Sequence, residues 1–277
     1  MSTIDTSLPP EPSGAAAGLA AKHADAHPLK LYGGWFCPFV QRSWIVLEEK
    51  KIPYQYIEIN PYKKEASFLA MNPRGLVPTL AVPVGSQGGK QKPLFESNII
   101  SEYLDEEYND ESKYGPSLLP KDPYDRARAR LWIDHISNKI IPAFYKLLQH
   151  TDEKPFTLDE GRKELHKHIH TLTEQMDPEG PFFGGRELGM VDICLAPWAK
   201  RLWLIDHYKN GGVGIPSKGQ DEEWGRWRTW FNAITERKSV QETWSADERY
   251  IIAYKRYADD TTNSEVGQAT RQGKRLP

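Results

Sequence analysis

The chain has 277 residues, and its 36 Lys and Arg residues against 38 Asp and Glu residues leave a formal net charge of −2. This length predicts two domains, and the near-neutral charge lacks the basic excess of a nucleic-acid-binding protein. No stretch approaches the ~20 consecutive apolar residues that span a bilayer. The two cysteines, Cys37 and Cys194, supply no disulfide framework. We therefore expect a protein of a reducing compartment, the cytoplasm, with neither nucleic acid nor membrane as a partner.

The beginning of the chain predicts a leader followed by a strand and a helix. Residues 1–28 lack the basic start and long apolar core of a signal peptide and are predicted to be a flexible leader. A short strand follows at residues 29–32, then a loop at 33–36. Cys37-Pro38 opens a helix, because proline is favoured at the first helical position. Cys37 is therefore predicted to be the N-cap residue.

Residues 54–59 alternate as a strand does, so the chain from 29 to 59 reads as a βαβ unit with parallel strands. Further elements complete this domain, residues 29–108, in the order βαβαββα. They are a helix at 63–71, a turn at 72–75, a strand from 77, a hairpin turn at 85–89, a strand at 93–95 and a helix beginning at 96–98.

The rest of the chain predicts a helical domain. Residues 109–123 are rich in Pro, Gly, Ser, Asp and Lys and read as a linker. Helical periodicity fills the domain that we assign to residues 124–257, with a glycine-rich loop at 209–220. The helical stretches are 126–149, 158–176, 190–208, 223–237 and 243–257. Residues 258–277 are a polar tail, predicted to be disordered.

Cys37 is the sharpest candidate for chemistry. A thiol at a helix N-terminus faces unpaired backbone N–H groups and the positive end of the helix dipole, which favour the reactive thiolate. A cysteine can also simply fill space in a core. However, a Cys-Pro at the strand-to-helix turn of a βαβ unit is where thioredoxin-like redox proteins place their attacking sulfur. Val40 stands where a second cysteine of that motif would be, so a small external thiol must resolve any mixed disulfide at Cys37.

Two later motifs extend this candidate site. Val77-Pro78 lies where thioredoxin-like folds place a cis-proline beside the active sulfur, although the dipeptide could also be an ordinary strand-edge proline. Glu96-Ser97 begins a helix, where a carboxylate, a hydroxyl and exposed N–H groups together suit a small zwitterion. Ser97 could equally be a plain N-cap.

Other motifs favour structural roles. His166, His168 and His170 include a pair at i, i+4, but no carboxylate or cysteine completes a metal-binding set. We expect them on a solvated helix face and predict no metal. The glycines at 211–214 lack the preceding strand of a phosphate-binding loop, and Cys194 lies in an apolar helix as a core residue.

Several motifs along the chain occur together, in the same order, in one known family. They are Phe36-Cys37-Pro38-Phe39 with Arg42, Asn72-Pro73 with Gly75-Leu76-Val77-Pro78, Glu96-Ser97, Glu102-Tyr103-Leu104-Asp105-Glu106, Phe182-Phe183-Gly184-Gly185, Met190-Val191-Asp192 and Pro197-Trp198. In this order, over residues 29–257, they resemble the cytosolic glutathione transferases, and most closely the omega class. The resemblance implies an α/β thioredoxin-like N-terminal domain, βαβαββα, followed by an all-α C-terminal domain that shapes an acceptor site.

The same resemblance implies glutathione as cosubstrate and a homodimer. Cys37 would form a mixed disulfide with glutathione in thiol transfer, dehydroascorbate reduction or deglutathionylation of small adducts. The residues that would hold glutathione are Phe36 beside the sulfur, Lys64 at the glycyl carboxylate, the backbone of Val77 before Pro78, and Glu96 with Ser97 at the γ-glutamyl end. Trp198 and Arg201 would line the acceptor site, although a tryptophan here could also be core.

One departure and two alternatives complete the prediction. The family usually has Ser or Thr three residues before the buried Asp192, forming a capping box, whereas this chain has Gly189. Instead of using Cys37, the protein could be a conjugating transferase in which a hydroxyl such as that of Tyr32 activates glutathione. It could also be a non-catalytic protein that binds glutathione or an aromatic ligand.

Overall fold

The computed structural model describes residues 8–61, 63–84, 90–216 and 223–276. The chain divides into two compact units, of which the first comprises Met1–Leu119 and Arg237–Ala253 and the second comprises Pro120–Glu236 and Tyr254–Pro277. The junction after Leu119 lies inside the predicted linker. The segment Arg237–Ala253 belongs to the first unit, whereas the sequence analysis assigned it to the helical domain.

A four-stranded mixed sheet organises the first unit. Its strands are β1 (Lys30–Gly33), β2 (Gln55–Glu58), β3 (Thr79–Val84) and β4 (Lys90–Phe95). They lie in the order β2-β1-β3-β4, with β1 and β2 parallel and β3 antiparallel to both β1 and β4. The predicted βαβ unit and the thioredoxin-like order βαβαββα are confirmed, while the predicted hairpin turn at 85–89 lies outside the described residues.

The other regular elements of both units are helices. A π-helical turn at Ile136–Ile140 joins the helix that ends at His135 to the helix that begins at Ile141. The helices are α1 (Gly14–Lys22), α2 (Pro38–Glu49), α3 (Ala66–Met71), α4 (Ser97–Glu107), α5 (Glu111–Tyr114), α6 (Pro123–His135), α7 (Ile141–Leu148), α8 (Leu158–Thr173), α9 (Met190–Ala199), α10 (Trp203–Tyr208), α11 (Gly225–Glu236), α12 (Lys238–Glu242), α13 (Asp247–Ala258) and α14 (Glu265–Arg271). The all-α second unit is thereby confirmed. Across the described ranges no helix is both long and apolar enough to cross a membrane.

The core of the first unit lies between the sheet and the helices that pack on it. Leu31 of β1 and Leu80 of β3 are fully buried, and α2 packs against α4 with Trp44 and Leu104 inside. Each such side chain contributes about 1.5–3 kcal/mol by leaving water. These contacts hold the start of α2 in place against the sheet.

The N-terminal segment is better ordered than the sequence analysis predicted. From residue 14 it forms α1, whose Ala16 and Leu19 are buried. The Ala16 N–H donates to the carbonyl of Trp244 over 3.1 Å, and the His23 carbonyl accepts from the N–H of Tyr56 over 2.8 Å. The short alanine-rich run is too weakly apolar for a signal peptide, but alanine is the best helix former and allows close packing. Residues 8–28 are therefore part of the first unit rather than a flexible leader.

The C-terminal tail also contains a helix that the sequence analysis did not predict. The hydroxyl of Ser264 accepts from the N–H of Gly267 over 3.0 Å and so caps α14. A side chain at Gly267 would have its Cβ 2.2 Å from a methyl carbon of Thr262. This close approach compacts the tail itself, while the packing of α14 on α7 and the ion pair between Lys154 and Asp260 attach the tail to the rest of the second unit.

Asp192 is the polar centre of the second unit. Its carboxylate is buried and accepts from the N–H groups of Phe183 (2.7 Å) and Gly189 (2.8 Å) and from the indole of Trp230 (2.7 Å). Gly189 has no side chain to return a hydrogen bond, so only half of a capping box forms. Burial raises the pKa of Asp192 to about 6. Cys194, two residues further on, is fully buried, as predicted for a core residue.

The three histidines of α8 are half-buried rather than solvated. Nε2 of His166 donates to the carbonyl of Val213 over 2.7 Å. The rings of His166 and His170 lie 4.9 and 4.1 Å from the ring of Trp224. The prediction of a solvated face was wrong because Trp224, remote in sequence, covers His166 and His170, and because the ring of His135 lies 5.8 Å from that of His168. Within the part of the chain that the structure describes, no group of three His, Cys, Asp or Glu residues is placed to hold a metal.

Candidate active site

Cys37 occupies the turn between β1 and α2 and is the N-cap of α2, as predicted. Its backbone is extended, with φ −81° and ψ 120°, and Pro38 is the first helical residue. The Cys37 thiol is partly exposed, and its sulfur lies 3.9 Å from the carbonyl oxygen of Val77. The positive end of the α2 dipole favours the thiolate at this position. The structure therefore places a partly accessible thiol where its ionised form is stabilised.

The loop that precedes Cys37 is anchored through Trp35. Its N–H donates to Oε1 of Glu58 over 2.9 Å, and its indole N–H donates to the carbonyl of Pro9 over 3.0 Å. The Tyr250 hydroxyl donates to the Trp35 carbonyl over 3.4 Å, and the two rings meet edge to face at 5.3 Å. Three segments remote in sequence thus fix the backbone that presents the thiol.

Sequence reasoning did not select Glu58, although a signal for it was present. In the alternating strand 54–59, Glu58 shares a face with Tyr54 and Tyr56, both of which are buried. A carboxylate on the buried face of a strand is unusual, because an ionised group is costly to bury without partners. The acidic residue in this strand is the signal, but the alternation alone does not say which face of the strand is buried, because Ile57 and Ile59 occupy the other face.

The predicted cis peptide between Val77 and Pro78 is present. The turn before it is held by Asn72, whose amide nitrogen donates to the Leu76 carbonyl and to the Thr79 hydroxyl, each over 3.0 Å. These bonds set the backbone of Val77 opposite the thiol of Cys37.

Lys64 lies against the same turn. Gly75 has φ +64°, a left-handed conformation that favours glycine, and a Cβ there would lie 3.0 Å from Nζ of Lys64. The side chain of Lys64 therefore lies close to Gly75, in the turn that leads to Val77. Its contact with a glycyl carboxylate stays a prediction.

Glu96 and Ser97 lie at the start of α4. Glu96 has φ +70°, an uncommon conformation for a residue other than glycine, and its carboxylate pairs with Arg74 at 3.0 Å. The buried Arg42 of α2 donates to the Ser97 hydroxyl over 3.3 Å and to the Asn98 side chain over 3.0 Å. The arginine thereby links the start of α4 to the helix that begins with Cys37.

Two aromatic residues flank this region. Phe36, next to Cys37, is partly exposed and packs edge to face on Trp35 at 5.8 Å. Tyr32 of β1 has its ring 5.6 Å from the ring of Phe68 in α3. Burial, with a smaller effect from Glu65, raises the pKa of the Tyr32 hydroxyl. A tyrosine with a raised pKa stays protonated at neutral pH.

Trp198 and Arg201, predicted to line the acceptor site, both belong to the second unit. Their side chains are 1% and 0% exposed. Arg201 donates to the Pro197 carbonyl over 2.7 Å, and its guanidinium lies 5.9 Å from the ring centre of Tyr254. Their role at an acceptor site stays a prediction.

Comparisons with known proteins agree with this arrangement. The chain matches the family of glutathione S-transferase N-terminal domains over residues 36–107 and that of the C-terminal domains over residues 155–233. It is 36% identical to glutathione S-transferase omega-1 of Sus scrofa over 180 residues, which are 64% of this chain and 68% of that protein. It is also 32% identical to glutathione S-transferase 3 of Glycine max over 209 residues, covering 76% of this chain and 86% of that protein.

The fold has a solved counterpart of higher identity. The crystal structure of glutathione transferase Omega 3C from Trametes versicolor shares 39% sequence identity with a TM-score of 0.77, over 92% of this chain and 100% of that one. The matched ranges include Cys37, Val77-Pro78, Glu96-Ser97 and Asp192. The chain belongs to the glutathione S-transferase family, with relatives of the omega class among its matches.

Proposed function

We propose that this transferase is a glutathione-dependent thioltransferase in which Cys37 is the nucleophile. The observation that carries the proposal is the position of Cys37 at the N-cap of α2, with its sulfur 3.9 Å from the Val77 carbonyl. The helix dipole stabilises the thiolate there, and the thiolate is the form that attacks disulfides. Cys194 is fully buried, so a second protein thiol does not compete.

The reaction has two thiol-disulfide exchanges. In the first, the Cys37 thiolate attacks the glutathionyl sulfur of a mixed disulfide, the sulfur–sulfur bond breaks, and the substrate leaves as a thiolate. In the second, a glutathione thiolate attacks the Cys37–glutathione disulfide, releasing the Cys37 thiolate and oxidised glutathione. Each mixed disulfide reduced consumes one free glutathione, which leaves joined to the glutathionyl group of the substrate as oxidised glutathione. Reduction of dehydroascorbate to ascorbate consumes two glutathione molecules, and in both cases protons exchange with solvent.

The residues around Cys37 offer complementary groups for glutathione. Glu96 and the start of α4 with Ser97 suit the ammonium and the carboxylate of the γ-glutamyl end. The backbone of Val77 suits the peptide part, and Lys64 suits the glycyl carboxylate. Phe36 borders the sulfur. Each assignment follows the family resemblance.

Acceptors of the proposed reaction are small disulfides, dehydroascorbate and glutathionylated adducts, with Trp198 and Arg201 as proposed acceptor-site residues. Two free cysteines, one of them reactive, fit a reducing compartment such as the cytoplasm. The raised pKa of the Tyr32 hydroxyl keeps it protonated, which is the form that could donate a hydrogen bond to a glutathione thiolate, so the variants below decide between Tyr32 and Cys37. A non-catalytic glutathione-binding protein would bind without any turnover.

The test compares three variants. Cys37→Ser is expected to abolish glutathione-dependent reduction of hydroxyethyl disulfide and of dehydroascorbate, whereas Cys194→Ala keeps both. Intact-mass analysis after incubation with oxidised glutathione should find one glutathionyl group, mapped to Cys37. Undiminished activity of Cys37→Ser, or addition at Cys194, would contradict the proposal. Conjugation of a chlorinated aromatic that is lost in Tyr32→Phe but kept in Cys37→Ser would select the conjugating alternative.

Each unit also presents exposed apolar side chains that suit a homodimer. Phe95 and Ile99 are 42% and 55% exposed in the first unit, and Tyr124 and Leu131 are 76% and 69% exposed in the second. We expect light scattering to find a dimer that Ile99→Glu or Leu131→Glu converts to a monomer. An unchanged mass for both variants would contradict the assignment of these side chains to the dimer contact.

A further inference from the structure

A carboxyl group lies directly beneath the loop that presents Cys37. Gly33, the last residue of β1, is paired in the parallel register with Glu58, the last residue of β2. The Glu58 side chain reaches back under the loop, where Oε1 accepts the N–H of Trp35 over 2.9 Å and Oε2 accepts the hydroxyl of Tyr56 over 2.6 Å. Both carboxyl oxygens are therefore engaged within the floor of the candidate active site.

Tyr56 connects this carboxyl group to the helix that begins at Cys37. Its ring is buried and stacks on Trp44 of α2, with ring centres 4.3 Å apart. A Cβ at Gly33 would lie 3.1 Å from the Tyr56 hydroxyl and 2.7 Å from a methyl carbon of Val40. The absence of a side chain at Gly33 thus allows the tyrosine hydroxyl to lie beneath the loop, within electrostatic reach of Cys37.

Among the residues that the structure describes, no cation directly contacts the Glu58 carboxyl group. Tyr56, on the same strand, and Glu11, in the N-terminal segment, both act on the Glu58 carboxyl group. Cys37, at the start of α2, acts electrostatically on the Tyr56 hydroxyl, which is bonded to Glu58. Burial raises the pKa of Glu58 to about 7, and the negative charge of Glu11 acts in the same direction, while the hydrogen bonds from Tyr56 and Trp35 oppose it. Glu58 therefore changes charge close to neutral pH.

We propose that Glu58 is a positioning residue for Cys37, which fixes the loop by accepting the Trp35 N–H and tunes thiolate formation by gaining or losing its own proton. The inference rests on Cys37 as the nucleophile of the proposed function. When Glu58 is ionised, its negative charge opposes the Cys37 thiolate, and when Glu58 is protonated this opposition disappears. The two groups titrate as a coupled pair that exchanges protons with solvent.

The test measures the rate of alkylation of Cys37 by iodoacetamide between pH 4 and pH 9, with the modified residue mapped by peptide mass. The native protein is expected to show two inflections, one of them near pH 7. Glu58→Gln keeps an amide oxygen for the Trp35 N–H but cannot ionise. Its profile should have one inflection, about 0.5–1 unit lower in pH than the thiol inflection of the native protein. Alkylation above pH 7, where Glu58 is ionised, should therefore become about three- to tenfold faster, whereas the two rates should agree at pH 5–6. A profile that superimposes on that of the native protein would overturn the proposal.

Two further variants keep the test decisive. Tyr56→Phe removes one hydrogen bond to the carboxylate and should move the inflection near pH 7 upwards, so an unmoved inflection counts against the role of Glu58 even if Glu58→Gln does not fold. Glu107→Gln, at an exposed position of α4, makes the same charge change and should leave the profile as it is. A shift as large as that of Glu58→Gln would show that the effect is not local. Alkylation needs no glutathione, so its outcome is separate from that of the thioltransferase assays.

Discussion

Each of the two units has a buried aspartate whose carboxylate accepts hydrogen bonds from backbone N–H groups of another segment. The two aspartates differ in the charge of their other partners. In the first unit, Asp105 of α4 is 3% exposed and accepts the N–H groups of Leu118 and Leu119 over 2.9 and 3.0 Å. It also accepts from the ammonium of Lys50 over 2.8 Å, and this lysine is itself buried. The carboxylate therefore has a full positive charge beside it.

Asp192 in the second unit is buried to the same degree but has only neutral donors in direct contact. Two backbone N–H groups and the indole of Trp230 supply partial charges, which stabilise a carboxylate less than an ammonium does at similar distance. Burial consequently dominates and raises the pKa of Asp192 to about 6. The comparison shows that the buried carboxylate of the first unit has a cation as a direct partner, whereas the buried carboxylate of the second unit has only neutral donors and a raised pKa.

The largest expected effect comes from removing the cation. Lys50→Met leaves the Asp105 carboxylate buried without its ammonium partner, and breaking a buried ion pair in this way costs about 3–5 kcal/mol in free energy of unfolding. The urea and thermal midpoints measure the loss. Lys92→Met, an exposed lysine on β4, is the matched control and should change little. Equal losses for both variants would show that Lys50 is not needed to balance Asp105.

The next effect is a pH dependence that belongs to the second unit. The pKa of Asp192 is about 6 in the folded protein and near 3.9 when unfolded, so the folded state binds the proton more tightly. Its contribution to stability is full below about pH 4 and is lost as the pH rises to about 6, by roughly 3 kcal/mol at most.

Asp192→Asn removes this titration. The stability of the native protein relative to the variant should therefore fall between pH 4 and pH 6.5, as measured by thermal midpoints at several pH values. Asp125→Asn, at an exposed position of α6, serves as the control. A difference that rises with pH would mean that the three donors lower the pKa of Asp192 instead.

The smallest effect concerns an ion pair of the first unit that lies in water. Arg74 and Glu96 pair at 3.0 Å, but each side chain is 48% exposed. Such pairs contribute about 0–1 kcal/mol, so Arg74→Gln should shift the thermal midpoint much less than Lys50→Met does. A loss comparable to that of Lys50→Met would show that exposure does not separate the two pairs.

The parts of the fold and site that sequence reasoning predicted are those determined by local patterns. Pro38 at the first helical position determines that Cys37 is an N-cap, and the alternation of residues 54–59 determines β2. The cis peptide before Pro78 and the start of α4 at Ser97 follow motifs of a few residues. Each of these required no knowledge of what lies across the core.

The parts that were missed depend on contacts between residues far apart in sequence. Helix α1 is ordered by Trp244, which no periodicity within residues 14–22 indicates. The half-buried state of His166 depends on Trp224, and the anchoring of Trp35 depends on Tyr250. Glu58 was missed for a related reason, because the alternation of residues 54–59 does not say which of the two faces of the strand is buried.

The first unit is discontinuous in sequence, which has a consequence for how it is made. The loop before Cys37 is held by Tyr250, and helix α1 is held by Trp244, both in Arg237–Ala253. The ribosome must therefore synthesise residues 120–236 between the two parts of this unit, which at about 5–20 residues per second takes on the order of ten seconds. Throughout that interval the nascent chain carries Cys37 on an incompletely supported loop. The surroundings of the Cys37 thiol are completed only after residues 237–253 have been synthesised.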